Sequence, residues 1–291
     1  MENRIISPDE PQSANHYHDR ITDAVKSVML EVGQILGAFQ GKFSIVGGSV
    51  PWLLMPDHEM DHVGTVDLDI ALDAEALGDG EYATMIEALQ KHGYRQSKAG
   101  RKFQLHRQIQ PDDGGPAIEV IVDFLMPRSA VVIKNIPPLV QNFAVQRADG
   151  ADLALRFAET VVVEGAMPNG AKNKVQISVC SIPAFLAMKG HALNGRYKQK
   201  DAYDIYYCIV GFDGGIEELT KLCLPILSFE SGAIGFNHIL DKFEKLDSFG
   251  PVCVREFVTG SKILDGRTPA QWQQDAFGQV DALLRALALR T

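Results

Sequence analysis

Two acidic residues two positions apart in an otherwise apolar run, Val66-Asp67-Leu68-Asp69-Ile70, are the most chemically pointed feature of this sequence. In an extended strand alternate side chains share a face. Both carboxylates then project from one side, roughly 6–7 Å apart along the strand, while Leu68 and Ile70 turn to the other. Like charges placed this way repel and gain nothing from sheet pairing. A divalent cation is the natural compensation, and Mg2+ (or Mn2+) binds one or two carboxylates together with substrate phosphates. The plain alternative is a solvated strand face. Asp123, within Ile118-Glu119-Val120-Ile121-Val122-Asp123-Phe124-Leu125, is the candidate third ligand, on a strand expected in the same sheet. It could also take the proton of an attacking hydroxyl. Glu119 shares its face and is the second choice.

Upstream, Lys42 to Val46 reads as a short strand running into Gly47-Gly48-Ser49, with Pro51 opening a helix. Glycines let backbone amides approach a phosphate without a Cβ in the way, and a helix N-terminus adds partial positive charge. Ser49 can donate its hydroxyl to a phosphate oxygen. Alone, such a turn is common and purely structural. A substrate phosphate next to the carboxylates would give it a purpose.

A second constellation runs from Lys189 to Asp204: Lys189-Gly-His-Ala-Leu-Asn-Gly-Arg196-Tyr-Lys-Gln-Lys200-Asp201-Ala-Tyr-Asp204. On an unbroken helix Lys189, Arg196 and Lys200 form one stripe. Asn194-Gly195 predicts a break instead, leaving Lys189 at the end of one helix and Asp201 and Asp204 in the first turn of the next. Without further context this is a helix–turn–helix surface with capping acids and solvated lysines.

Taken together, Gly47-Gly48-Ser49, Asp67-x-Asp69 and a lone later strand aspartate resemble the polymerase-β-like nucleotidyltransferase superfamily. The Lys-x-x-Ala-x-x-x-Arg-x-x-x-Lys-Asp-x-x-Asp-Ile run resembles the AbiEii/AbiGii-type toxin nucleotidyltransferases of type IV toxin–antitoxin systems. The resemblance covers residues 40 to 210. It implies that the Gly-Ser turn holds a triphosphate and that Asp67, Asp69 and Asp123 hold Mg2+. It also implies that Lys189, Arg196 and Lys200 bring positive charge to the nucleotide phosphates, and that Asp204, with Asp201, completes the site. Lys200 stands where the family commonly has arginine, and His62-Val63 where it often has an arginine before the first metal aspartate. The acceptor it suggests is tRNA or another RNA, with an antitoxin as partner. A small-molecule acceptor, as in antibiotic adenylyltransferases, and a catalytically silent nucleotide-binding module are the alternatives. Arg95, Lys98, Arg101, Lys102, His106 and Arg107 form the densest basic stretch and are the candidate RNA-facing edge.

His58-Glu59-Met60-Asp61-His62 matches the His-Glu-x-x-His zinc pattern, which works only inside a helix. Pro56 and Gly64 flank it, so a polar loop is expected and a zinc hydrolase is not.

The elements that must position these groups follow from periodicity. Helices are expected over Ile21–Phe39 and Glu81–His92, and strands over Thr65–Leu72, Phe103–Ile109 and Ile118–Leu125. A hairpin, Arg156–Glu164 with Lys174–Ser181, turns at Pro168-Asn169-Gly170. Beyond Ser181 helical patterns dominate, ending in a helix capped by Thr268-Pro269. The expectation is an α+β fold: a loose arm over 1–15, a nucleotidyltransferase-like mixed sheet with flanking helices over 16–181, and a helical domain over 182–291. The 291 residues suffice for this, with 46% hydrophobic and 22% charged residues. A net charge of −9 argues against a general nucleic-acid coating protein. Four scattered cysteines predict free thiols in a reducing cytoplasm. No run approaches a membrane span, and Met1-Glu2-Asn3-Arg4 has no apolar run behind it to make a secretory signal.

Overall fold

The computed structural model describes residues 13–56, 60, 62–96, 103–111, 114–130 and 145–290. In chain order the elements are α1 (Asp19–Ile35), β1 (Phe43–Val46), α2 (Ser49–Leu54), β2 (Asp67–Leu72), α3 (Glu81–Lys91), β3 (Gln104–Ile109), β4 (Ile118–Pro127), β5 (Gln146–Ala148), α4 (Ala151–Arg156), β6 (Ala158–Ala166), β7 (Lys172–Cys180), α5 (Ile182–Gly195), α6 (Gln199–Val210), α7 (Gly215–Leu227), α8 (Glu230–Lys242), α9 (Phe249–Val258) and α10 (Pro269–Ala286). This is the expected α+β order of a mixed sheet with helices, then helices alone. No helix among the described residues is long and apolar enough to cross a membrane.

Contacts divide the chain into two units. The first holds residues 18–49 and 64–180; the second holds 181–291 together with 10–17 and 50–63. The sequence reading set off a loose arm over 1–15 and otherwise drew its division at residue 181. Of the described residues upstream of 181, 13–17, 50–56, 60, 62 and 63 group with the helices.

The first unit is built on a seven-stranded sheet in the order β3-β4-β2-β1-β7-β6, with β5 on β4. It is mixed: β2 and β4 are parallel, as are β1 and β7, while β1 with β2, β3 with β4 and β6 with β7 are antiparallel. Alternation decides the faces. Leu68, Ile70, Leu105, Val120, Val122 and Phe124 are fully buried, each contributing about 1.5–3 kcal/mol of apolar burial. The helix α1 lies against β6 and β7, where a Cβ on Gly33 would come within 3.0 Å of Val175. Arg107 on β3 reaches Glu31 of α1 through a two-pronged ion pair at 2.9 and 3.0 Å.

Arg156 ends the short helix α4 instead of opening a strand. Gly150, at φ +78°, turns the chain into that helix, and Leu153 and Ala154 bury beneath it.

The second unit is helical. α5 is buried almost all round and crosses α8 at a glycine pair. A Cβ on Gly190 would lie 2.0 Å from the Gly235 carbonyl oxygen, and one on Gly235 would lie 2.3 Å from that of Ala187. No larger residue fits either place. α6 buries Tyr203, Tyr206 and Tyr207, and Tyr206 meets Trp272 of α10 edge to face at 5.7 Å. Thr268 caps α10 as its sequence predicts: its hydroxyl accepts from Gln271 N–H, and the Gln271 side chain accepts from Thr268 N–H at 2.7 Å. Of the supposed arm, residues 1–12 lie outside the described residues. Ala14–His16 forms a 3-10 turn, and Asn15 donates to the Gly260 carbonyl at 2.8 Å. All four cysteines are buried free thiols.

Candidate active site

The strand register brings the acidic residues together. In the parallel pairing of β2 with β4, Asp67 lies opposite Ile121 and Asp69 opposite Asp123. Residues two apart share a face, so all three aspartates stand on the face opposite to buried Leu68, Ile70, Val122 and Phe124. One oxygen from each of Asp67, Asp69 and Asp123 lies within 4.8 Å of the others, and all three residues are half-buried. Among the described residues no other group of acidic, histidine or cysteine side chains converges in this way. Glu119 does not join them: its carboxylate lies 3.2 Å from His106 Nδ1.

The glycine turn is fitted to this cluster. Val46 pairs with Asp69 in the antiparallel register of β1 and β2, so Gly47 follows directly beside that aspartate. Gly47 has φ +70°, and a Cβ there would fall 1.8 Å from Asp69 Oδ2. Both the backbone conformation and the closeness of the carboxylate demand glycine. Ser49 is 1% exposed, and its hydroxyl has no hydrogen-bond partner among the described residues. Such a group ordinarily has a water or ligand to satisfy it. The helix that Ser49 opens has six residues, too short to develop much of a dipole. Thr65, which the sequence reading passed over, donates its hydroxyl to Asp67 Oδ1 at 2.9 Å.

The second constellation closes on itself inside the helical unit. α5 runs on through Asn194-Gly195, so Lys189 lies mid-helix and the break falls at Arg196–Lys198. Asp201 is in the first turn of α6, while Asp204 is one turn further in. Lys189 Nζ lies 2.7 Å from both Asp201 Oδ1 and Asp204 Oδ2. Arg196 grips Asp201 through Nε at 2.8 Å and a terminal nitrogen at 3.1 Å. Lys200 Nζ donates to both Asp204 oxygens, at 2.8 and 3.0 Å. His62 Nε2 completes the set at 3.0 Å from Asp204 Oδ1. The two lysines, both aspartates and His62 are buried; Arg196 keeps 53% of its side chain exposed.

These contacts set the charges. Burial pushes the His62 pKa down to about 4, Lys200 adds to that, and Asp204 only partly opposes it. The ring is therefore neutral near pH 7 and donates its Nε2–H. Burial would raise the Asp201 carboxyl, but Lys189 and Arg196 outweigh it and hold it at about 2. Burial likewise opposes ionisation of Asp204, yet Lys189, Lys200 and His62 hold it well below the usual carboxylate range. Burial lowers Lys200 with partial relief from Asp204, whereas for Lys189 the two aspartates overcome burial and raise it.

Of the basic stretch, Lys98, Arg101 and Lys102 lie outside the described residues. Arg107 is taken up by Glu31, and His106 Nδ1 lies 3.2 Å from the Glu119 carboxylate. Of the His-Glu-x-x-His run, His58, Glu59 and Asp61 also lie outside them. His62 is directed to Asp204, and the Met60 carbonyl accepts from the Tyr207 hydroxyl at 2.9 Å.

No family model matches this chain, and no curated protein matches it. Among solved structures it is similar to two Helicobacter pylori proteins. One is a protein provisionally assigned as a nucleotidyltransferase, at 9% identity and a TM-score of 0.48, covering 94% of this chain and 99% of that one. The other is JHP933, at 10% identity and a TM-score of 0.48, covering 94% of this chain and 95% of that one. Likeness at this level carries no argument about function, which rests on the geometry of the site.

Proposed function

We propose that this chain is a metal-dependent nucleotidyltransferase that moves a nucleoside monophosphate from a triphosphate to an acceptor hydroxyl. The observation that carries the reading is the convergence of Asp67, Asp69 and Asp123 from adjacent parallel strands, next to a glycine that Asp69 leaves no room to replace. Three carboxylate oxygens are hard donors, suited to Mg2+ or Mn2+ and unsuited to the nitrogen- and sulfur-seeking metals. Asp67, Asp69 and Asp123 would hold the ion. When bound, it supplies charge neutralisation on the transferred phosphoryl group. The Gly47 and Gly48 amides and the Ser49 hydroxyl would hold the triphosphate. Asp123 would accept the acceptor's proton as its oxygen bonds to the α-phosphorus and the bond to pyrophosphate breaks.

In the helical unit, Arg196 pairs with Asp201 and keeps 53% of its side chain exposed, while Lys189 and Lys200 are held by Asp201 and Asp204; that any of the three would also meet the nucleotide phosphates is what the toxin-family resemblance implies. The toxin-family resemblance favours tRNA or another RNA as acceptor, and an antitoxin as partner. Incubation with α-labelled triphosphates, Mg2+ and separate pools of RNA, protein and small molecules tests the reading, with Asp69→Ala as control. Label entering the RNA pool in the wild type and not in the variant supports it. Label in the small-molecule pool alone moves the acceptor to that class. Triphosphate binding without label transfer in any pool defeats the enzyme.

A further inference from the structure

We infer that Thr65 is a positioning residue for the metal site, its hydroxyl holding the Asp67 carboxylate in the rotation that faces Asp69 and Asp123. The inference rests on the reading of that site just given. An aspartate carboxylate turns easily about its terminal torsion, so strand geometry alone aims its Cβ but not its oxygens. Here one oxygen is held. Thr65 is 3% exposed, and its Oγ1 lies 2.9 Å from Asp67 Oδ1, against 3.2 Å from the Asp67 backbone oxygen. A hydroxyl has one proton to give, and the shorter, charge-assisted contact is the stronger claim on it.

The donor is itself braced. Gly64 has φ +83°, and a Cβ there would fall 2.1 Å from Thr22 Oγ1 of α1, so the turn before Thr65 lies tight against that helix. A β-branched side chain such as threonine is stiff about its first torsion, which keeps the hydroxyl aimed. The order of support is therefore α1, the Gly64 turn, Thr65, then the Asp67 carboxylate. Groups that orient a metal ligand from outside matter to the metal: their loss typically costs about 10–100-fold in affinity.

The experiment titrates the full chain with Mn2+ and follows free Mn2+ by electron paramagnetic resonance, with no substrate present. Wild type, Thr65→Ser, Thr65→Val and Asp69→Asn are compared, and each is melted in chelator as a check on folding. Thr65→Val should weaken Mn2+ binding by about tenfold or more, with Thr65→Ser close to the wild-type value. A merely structural hydroxyl would lower the melting temperature of Thr65→Val and leave its Mn2+ affinity alone, which overturns the inference. Should Thr65→Val not fold, Thr65→Ala removes the same hydroxyl with less bulk and is read in the same way; if neither folds, the hydroxyl is structural and the inference is likewise overturned. Failure of the underlying site looks different: the wild type would then bind Mn2+ no better than Asp69→Asn.

Discussion

Replacing Asp123 with asparagine should make the metal-free protein more stable while destroying its response to Mg2+. The size follows from the spacing. The three carboxylates present oxygens within 4.8 Å of one another, at which unit charges repel by about 1 kcal/mol in water and about 3.5 kcal/mol at an effective dielectric of ~20. Asp123 has two such neighbours, so the substitution removes about 2–7 kcal/mol of gross repulsion. The residues are half-buried, solvent screens them, and the carboxylates can turn apart, which leaves a net gain of about 1–3 kcal/mol. Asparagine keeps the volume and one acceptor oxygen, so packing changes little. Thermal melts in chelator should place Asp123→Asn several degrees above wild type. In Mg2+ the order should narrow or reverse. Binding to the folded state alone stabilises the wild type by about 2.7 kcal/mol at an ion concentration one hundred times the dissociation constant. The variant has lost a ligand and gains little. Two results would refute this reasoning. If Asp123→Asn melts at or below wild type in chelator, the repulsion is already compensated within the protein. If both proteins respond equally to Mg2+, the ion is held elsewhere.

Acid should weaken the fold in two stages. The folded pKa of His62, about 4, lies below its ordinary 6.5, so its contribution is present above pH 6.5 and is lost as pH falls towards 4, about 3 kcal/mol in all. Urea melts of His62→Gln, which keeps an N–H donor that does not titrate, should show a flatter stability profile across that window; an unchanged slope would clear His62 of the role. Asp201, at about 2 against an ordinary 3.8, adds a further loss only below pH 4. Lys189→Met should cost about 3–5 kcal/mol in equilibrium urea unfolding, because two buried carboxylates lose a shared cation. A cost under 1 kcal/mol would mean that Arg196 and Lys200 suffice without it.

Where one residue's pattern determines its neighbours, the sequence was enough. The alternation in Val66–Ile70 and Ile118–Leu125 placed Asp67, Asp69 and Asp123 on strands, and the register of β2 with β4 then put Asp69 opposite Asp123. The strand order and that register are long-range facts which no local period carries. Thr65 could have been noticed, since it lies two residues before Asp67 and alternation puts it on the same face. His62 could not: its partner Asp204 is 142 positions away, and the local match to a zinc pattern pointed elsewhere. Arg156 misled because a short helix and a strand start look alike when only a few apolar residues mark them, and the deciding feature was the left-handed turn at Gly150.

The two acidic clusters contain the same residue type and end in opposite electrostatic situations. Asp201 and Asp204 meet Lys189, Arg196 and Lys200 within hydrogen-bonding distance, with the neutral His62 ring as a further donor, so the helical unit supplies the cations that their charge requires. Burial is tolerable there because each carboxylate is paired and hydrogen-bonded, and removing either partner leaves a buried charge. Asp67, Asp69 and Asp123 converge on one another on a half-buried face, with the Thr65 hydroxyl on Asp67 and Gly47 against Asp69. A fold gains nothing by bringing three like charges together, and packing did not force it, since the core face of the same strands is filled by Leu68, Ile70, Val122 and Phe124. Local rules are broken most often where function requires it. By that criterion the strand cluster, whose carboxylates could hold a metal ion, is where we propose the chemistry, while the charges of the helix cluster are met within its own unit.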